Sequence, residues 1–259
     1  MNESGKIKVT FLGTGTSAGV PMIGCDCYVC TSKDARDKRL RSSVMITAGD
    51  DNFVIDTGSD FRQQMLREHV KTLSAVVFTH EHKDHIAGMD DIRAFNFLTK
   101  KPVHVYANDL TELALRREFP YVFADLKYPG VPEIDLHKIT NMPFTINTTR
   151  FIPVEVLHYK LPVFGYRVGG FTYITDANFI SEEEKEKIKG CDVLVLNALR
   201  KQPHVAHFTL DEAVRLAKEL KVGKAYFTHI SHMLGTHEEI EKELPENIFL
   251  AYDGLKLEV

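Results

Sequence analysis

The sequence predicts an α/β chain folded as a four-layer αββα sandwich, and three observations carry that expectation. Short runs rich in β-branched and aromatic residues recur along the whole chain, helical patterns sit between only some of them, and hairpin signals such as Gly169-Gly170 join others directly. Strands come first and a mixture follows, loosely repeated in each half. That order fits helix, sheet, sheet and helix layers better than a doubly wound parallel sheet.

The strand-like runs cover 7–12, 43–47, 53–55, 75–78, 103–106, 151–157, 165–168, 171–175, 193–196, 225–228 and 248–252. Gly, Asp, Asn or Pro bounds most of them. Helical periodicity covers 59–69, 84–96, 108–119, 181–187, 209–220 and 236–244. Ser181 with Glu184, and Thr209 with Glu212, have the spacing of capping boxes. No linker rich in Gly, Ser or Pro divides the chain, so 1–259 reads as a single domain. The segment 120–143 stands apart, with Pro120, Pro129, Pro132, Pro143 and little periodicity. It reads as a long surface excursion of the kind used as a lid or recognition element.

Lys and Arg number 32 against 36 Asp and Glu, a formal charge of −4, which argues against a nucleic-acid binder relying on bulk positive charge. No apolar run reaches the roughly 18–20 residues of a membrane span. Met1 to Lys6 lead into a strand-like segment without the apolar stretch of a signal peptide, so the chain reads as cytoplasmic, with no membrane partner. Three of the four cysteines crowd into Cys25-Asp26-Cys27-Tyr28-Val29-Cys30, a spacing that marks metal or redox chemistry more than a disulfide framework. Cys191, at the head of an apolar run, reads as a small buried hydrophobe. The Gly13-Thr14-Gly15-Thr16-Ser17-Ala18 turn formally satisfies a dinucleotide-binding pattern. Pro21 and the cysteines then follow where a helix should continue, so it reads instead as a tight strand-end turn.

The strongest local signal is Thr79-His80-Glu81-His82-Lys83-Asp84-His85 after the apolar strand 75–78. Three imidazoles and a carboxylate at a strand end supply nitrogen and oxygen ligands suited to zinc, manganese or iron. The run resembles the H-x-H-x-D-H signature of the metallo-β-lactamase superfamily, without a mismatch. That family has an αββα fold with one or two metals at the strand-end loops along one edge. The remaining family ligands then have candidates, each after a strand: His158, Asp176 and His229. By the resemblance, His80, His82 and His158 would hold one divalent ion, Asp84, His85 and His229 a second, and Asp176 would bridge them. Asp56 matches the acidic residue beneath the site, which orients a ligand imidazole.

The glycine turn followed by Cys25, Cys27 and Cys30 resembles the amino-terminal pattern of PhnP-type phosphodiesterases. In that group three Cys and one His hold a structural zinc. The fourth ligand there lies three residues past the last active-site His, which here is His232. The His207-Phe208-Thr209 element is similar to one in phosphodiesterase branches of the superfamily, where the His faces the scissile phosphate; His204 is the fallback.

The resemblance therefore implies a dinuclear hydrolase, with Zn or Mn at the active site and one structural Zn. It would cleave a small cyclic or nucleotide-like phosphodiester through a metal-bridging hydroxide. Asp84 and His207 are the candidate catalytic residues, and a homodimer is the implied assembly. The alternatives are a tRNA 3′-processing endoribonuclease and a lactone or thioester hydrolase of the same fold. The former would need a basic RNA platform, and 120–143 carries Asp125, Glu133 and Asp135 beside only Lys127 and Lys138, so no stable nucleic-acid partner is expected. A flavodiiron redox protein is disfavoured, because that group places an acid where His82 stands.

Overall fold

The computed structural model describes residues 6–259; residues 1–5, read above as part of the lead into the first strand, lie outside them. In chain order the elements are β1 (Ile7–Gly13), β2 (Ser43–Ala48), β3 (Asp51–Ile55), α1 (Phe61–Arg67), β4 (Ala75–Val77), α2 (Lys83–Ile86), α3 (Arg93–Thr99), β5 (Val103–Ala107), α4 (Asp109–Glu118), β6 (Ile134–Lys138) and β7 (Phe144–Ile146). There follow β8 (Thr149–His158), β9 (Leu161–Val168), β10 (Phe171–Tyr173), α5 (Glu182–Ile188), β11 (Val193–Asn197), α6 (Leu210–Glu219), β12 (Lys224–Thr228), α7 (His237–Glu241), β13 (Ile248–Leu250) and β14 (Lys256–Glu258).

The strands form two seven-stranded sheets, ordered β14-β1-β2-β3-β4-β5-β6 and β13-β12-β11-β10-β9-β8-β7. Strands β3 to β6 run parallel, as do β10 to β13, while the remaining neighbours are antiparallel. The last strand, β14, returns to the first sheet beside β1.

Alternating side chains explain the layering. Phe11, Ile46, Phe53 and Ile55 of the first sheet meet Phe151, Tyr166, Phe171, Tyr173 and Val195 of the second in one buried cluster between the sheets. On the outer face of the first sheet, Met45, Val54, Val76 and Val105 pack with Phe61 and Met65 of α1, Phe95 of α3 and Leu115 of α4. On the outer face of the second, Val156, Leu194, Leu196 and Phe227 pack with Ile188 of α5 and with Ala213 and Leu216 of α6. This is the αββα sandwich. Strand β11 is buried on both faces, which is why Val193-Leu194-Val195-Leu196 is an unbroken apolar run and not an alternating one.

Two local expectations are corrected. The continuous helix over 84–96 is instead α2, a 3₁₀ turn at Met89–Ile92, and α3. Gly88 causes the break: its N–H donates to the Thr57 carbonyl at 2.8 Å, and a Cβ there would lie 2.1 Å from the Gly58 carbonyl oxygen. The chain is therefore pinned against the β3–α1 turn. The segment 120–143 is not unpaired throughout, because Ile134–Lys138 is β6, the edge strand beside β5. Ile134 and Leu136 attach it to the outer core of the first sheet.

The capping expectations also resolve in detail. Thr209 and Glu212 form the full reciprocal box, as do Thr236 and Glu239 at the start of α7. Ser181 accepts from the Glu184 N–H, while the Glu184 carboxylate turns to the Glu155 N–H and Asn141.

Candidate metal centre

Every residue of the proposed active-site set leaves the carboxyl end of a strand or the loop beyond it. Asp56 follows β3, His80 to His85 follow β4, His158 ends β8, Asp176 follows β10, His207 lies beyond β11, and His229 follows β12. Asp56, Asp176 and His229 have left-handed backbone, with φ of 66°, 55° and 55°. Each of these residues holds a conformation that costs an L-residue roughly 1–3 kcal/mol, a cost that tends to concentrate at functional sites.

Asp56 sits at the base of a hydrogen-bond relay. It is fully buried and accepts from the Thr79 N–H at 2.8 Å, the Thr79 hydroxyl at 2.8 Å and His85 Nδ1 at 2.7 Å. Because the Thr79 hydroxyl donates to Asp56, it accepts from His80 Nδ1 at 2.9 Å. One carboxylate thus sets two imidazole tautomers, and the Nε2 atoms of both His80 and His85 are buried without a hydrogen-bond partner. His158 donates from Nδ1 to the Ala206 carbonyl at 2.9 Å, which frees its Nε2. His229 is turned the other way. Its Nε2 meets the Thr16 hydroxyl at 3.1 Å, and its Nδ1 faces Asp176.

The donor atoms fall into two groups, each within 4.8 Å: His80, His82 and His158, and then Asp84, His85, Asp176 and His229. Asp176 touches both. Its Oδ2 lies 3.2 Å from His85 Nε2 and 3.2 Å from His229 Nδ1, while its Oδ1 lies 3.9 Å from His158 Nε2. His85 Nε2 is also 3.2 Å from Asp84 Oδ2. An imidazole lone pair facing carboxylate oxygens is repulsive unless a proton or a cation lies between them. This donor set therefore fits divalent ions on its own chemistry.

The ionisation tendencies agree. Burial pushes His80, His82 and His229 down, toward the neutral form that ligates metals. Burial opposes ionisation of Asp176, but His229 and His85 outweigh it and hold the carboxyl well below its usual range; Asp84 is lowered chiefly by His85 in the same way. Burial would lower His85 too, but Asp84, Asp176 and Asp56 together raise it. Burial pushes the Asp56 carboxyl up against the pull of its donors.

His207 joins this centre. It is buried, its Nδ1 lies 3.8 Å from Asp176 Oδ1 with no hydrogen-bond partner, and burial with His229 nearby lowers it to about 3. His204 is partly exposed, with its Nδ1 accepting from the Ala206 N–H at 3.2 Å. Sequence reasoning missed Thr16 and Thr79. Threonines at strand ends carry no signal of their own, and only their contacts show that they orient His229 and His80.

Glycine shapes the same pocket from beneath. A Cβ on Gly58 would lie 2.1 Å from the Asp84 carbonyl oxygen. Gly58→Ala is expected to displace the Asp84-His85 segment, costing roughly 2 kcal/mol or more of stability as overpacking does, and to lower turnover more than about tenfold. Urea unfolding alongside an activity assay checks this, and an unchanged variant would show that the backbone yields there.

The cysteines form a second candidate centre. Cys25 Sγ and Cys27 Sγ lie 3.4 and 3.3 Å from His232 Nδ1, and Cys30 completes the group. These spacings approach the S···N edge of about 3.6 Å in a tetrahedral zinc site. The His232 hydrogen bond lowers the Cys27 thiol to about 6, whereas burial raises Cys30 to about 11. Cys30 gives up its proton near neutral pH only if a cation joins it. Cys191 is buried in the outer core of the second sheet, away from this group.

Residues 51–230 match the family model described as the beta-lactamase superfamily domain. A solved structure described as a new diphosphatase from the PhnP family is 44% identical and superposes with a TM-score of 0.93, over 98% of this chain and 97% of that one. The octanoyltransferase of Porphyromonas gingivalis (strain ATCC BAA-308 / W83) is 37% identical over 253 residues, 96% of this chain and 51% of its own length. The chain thus spans about half of that curated relative. Zn(2+)-bound PqqB from Methylobacterium extorquens shares the fold, with a TM-score of 0.77 at 19% identity over 97% of this chain and 100% of that one.

Proposed function

The chain belongs to the metallo-β-lactamase superfamily, as a metal-binding hydrolase of the PhnP family, and from that premise we propose that it is a dinuclear phosphodiesterase acting on a small cyclic or nucleotide-like phosphodiester. The observation that carries the proposal is Asp176, one carboxylate whose two oxygens face two separate sets of donors. His80, His82 and His158 would hold one ion, Asp84, His85 and His229 the other, and Asp176 both, with Zn or Mn the candidates. Cys25, Cys27, Cys30 and His232 would hold a structural Zn. Bound there, a pair of divalent ions supplies Lewis acidity toward phosphoryl oxygens and lowers the pKa of water toward neutrality.

The chain's own groups account for the rest. Asp84 and Asp176 are too few to neutralise two divalent charges, so an anionic ester is drawn in. Asp56, Thr79 and Thr16 keep His80, His85 and His229 in the tautomers and orientations that ligation requires. Hydrolysis breaks a P–O bond, and the departing alkoxide needs a proton. His207 is the buried imidazole placed to move it, and a phosphoryl anion alongside favours its protonated form.

A second reading, cleavage of a diphosphate P–O–P bond, is favoured by the diphosphatase with which this chain shares 44% identity. A phosphate leaves without a proton, whereas an alkoxide does not. His207→Gln is expected to lower turnover of a cyclic alkyl phosphodiester by about 100-fold or more, the range of acid catalysis, but that of bis(p-nitrophenyl) phosphate by less than about tenfold. Equal losses on both would assign His207 to binding instead of the leaving oxygen.

The tRNA-processing alternative is disfavoured by the acidic make-up of 120–143, where Lys138 is paired with Asp109 on α4. The test of the whole proposal joins elemental analysis of the protein to a panel of phosphodiesters, diphosphate diesters and a tRNA precursor. About three ions per chain and turnover of a small diester are expected. Loaded protein inert toward every small ester would end the proposal.

A further inference from the structure

A third cluster of metal-type donors lies away from both centres, on strands β5 and β6. His104 and Asp135 are register partners across these parallel strands, and His137, two residues on, shares the face of Asp135. His104 lies in the row of Ala75, the first residue of β4, whereas the active-site loop leaves β4 from its other end.

Three atoms converge there. His104 Nδ1 is 2.9 Å from His137 Nε2 and 3.2 Å from Asp135 Oδ2, and His137 Nε2 is 3.4 Å from the same oxygen. Protons can satisfy only two of these contacts. If both nitrogens carry a proton and donate to the carboxylate, the two N–H groups oppose each other. If one donates to the other, the acceptor's lone pair faces the carboxylate. A single cation satisfies all three. The edge of a tetrahedron with metal–ligand bonds of about 2.0–2.1 Å is roughly 3.3 Å, close to the spacings seen. His137 is also held in place: Tyr106 stacks on it at 4.5 Å and 17°, and Phe144 stacks on Tyr106 at 5.4 Å and 14°.

The geometry points to a further divalent metal site at His104, Asp135 and His137, one that takes a first-row ion such as zinc. Two imidazoles with one carboxylate select such an ion over magnesium or calcium. The side chains are 49%, 54% and 35% exposed, so the ion keeps open positions for water or an external ligand, unlike the thiolate centre. The site is independent of the hydrolytic reading, because none of its residues lies among the groups assigned to the reaction.

The test is calorimetric titration of Zn²⁺ into protein already saturated at its tightly held sites. Wild type is expected to take up one further equivalent. His104→Ala and His137→Ala are each expected to weaken that uptake by more than the roughly 10- to 100-fold lost with an outer-shell partner, with diester turnover and thermal midpoint unchanged. Asp135→Asn keeps the shape of the site, carries the test if either alanine variant fails to fold, and should also weaken uptake. No further equivalent in wild type, or undiminished uptake in folded variants, would overturn the site.

Discussion

Asp176→Ala is expected to lower turnover of a chromogenic phosphodiester by about 10³-fold or more, with a fall in active-site metal content. The size follows from position. Losing a single transition-state donor typically costs about 10²–10³ in rate, and Asp176 faces both donor groups at once. Removing it would also leave His85 and His229 without the carboxylate whose charge favours a cation between them. Thermal unfolding in parallel separates this from collapse, and elemental analysis should show the zinc proposed at the cysteines retained. Near-normal turnover would mean that Asp176 bridges nothing, and the dinuclear proposal would fall with it.

The second large effect is expected in stability. Cys27→Ala should remove about one zinc per chain and lower Tm by about 10 °C. That follows from a loss of several kcal/mol at roughly 2–4 °C per kcal/mol for a chain of this size. Cys27 accepts the Cys30 N–H and faces His232, so the zinc would tie the β1–β2 loop to the segment after β12, 205 residues away in sequence. That loop also carries Thr16, the partner of His229 Nε2, so activity should fall too, though less than in Asp176→Ala. Limited proteolysis should then cut near 22–30. A variant with unchanged zinc content and midpoint would show that the cysteines hold no structural ion.

Legibility followed burial. Strands β3, β4, β10, β11 and β12 are largely buried, so their β-branched and aromatic runs could be read directly. The unread strands, β6, β7 and β14, all lie at sheet edges. Ile134-Asp135-Leu136-His137-Lys138 and Lys256-Leu257-Glu258 are charged, as exposed edges often are, and three residues of alternation are too few to declare a strand. The single helix read over 84–96 failed for another reason. Gly88 looks like a tolerable interruption in a periodic pattern until its backbone is seen against Gly58.

The sequence by itself determined the order of the sandwich and the donor cluster from His80 to His85, because burial periodicity and ligand chemistry are both written in residue types at local spacing. The resemblance to the superfamily, and not local spacing, supplied His158, Asp176, His229, Asp56 and His207. Only the tertiary structure decided how they are used. Tautomers depend on partners distant in the chain, such as Asp56 for His85 and Thr16 for His229, and the two faces of Asp176 exist only once strands from both halves are packed. The pairing of His104 with Asp135 and His137 is likewise a property of register, which no run of residues on one strand can specify.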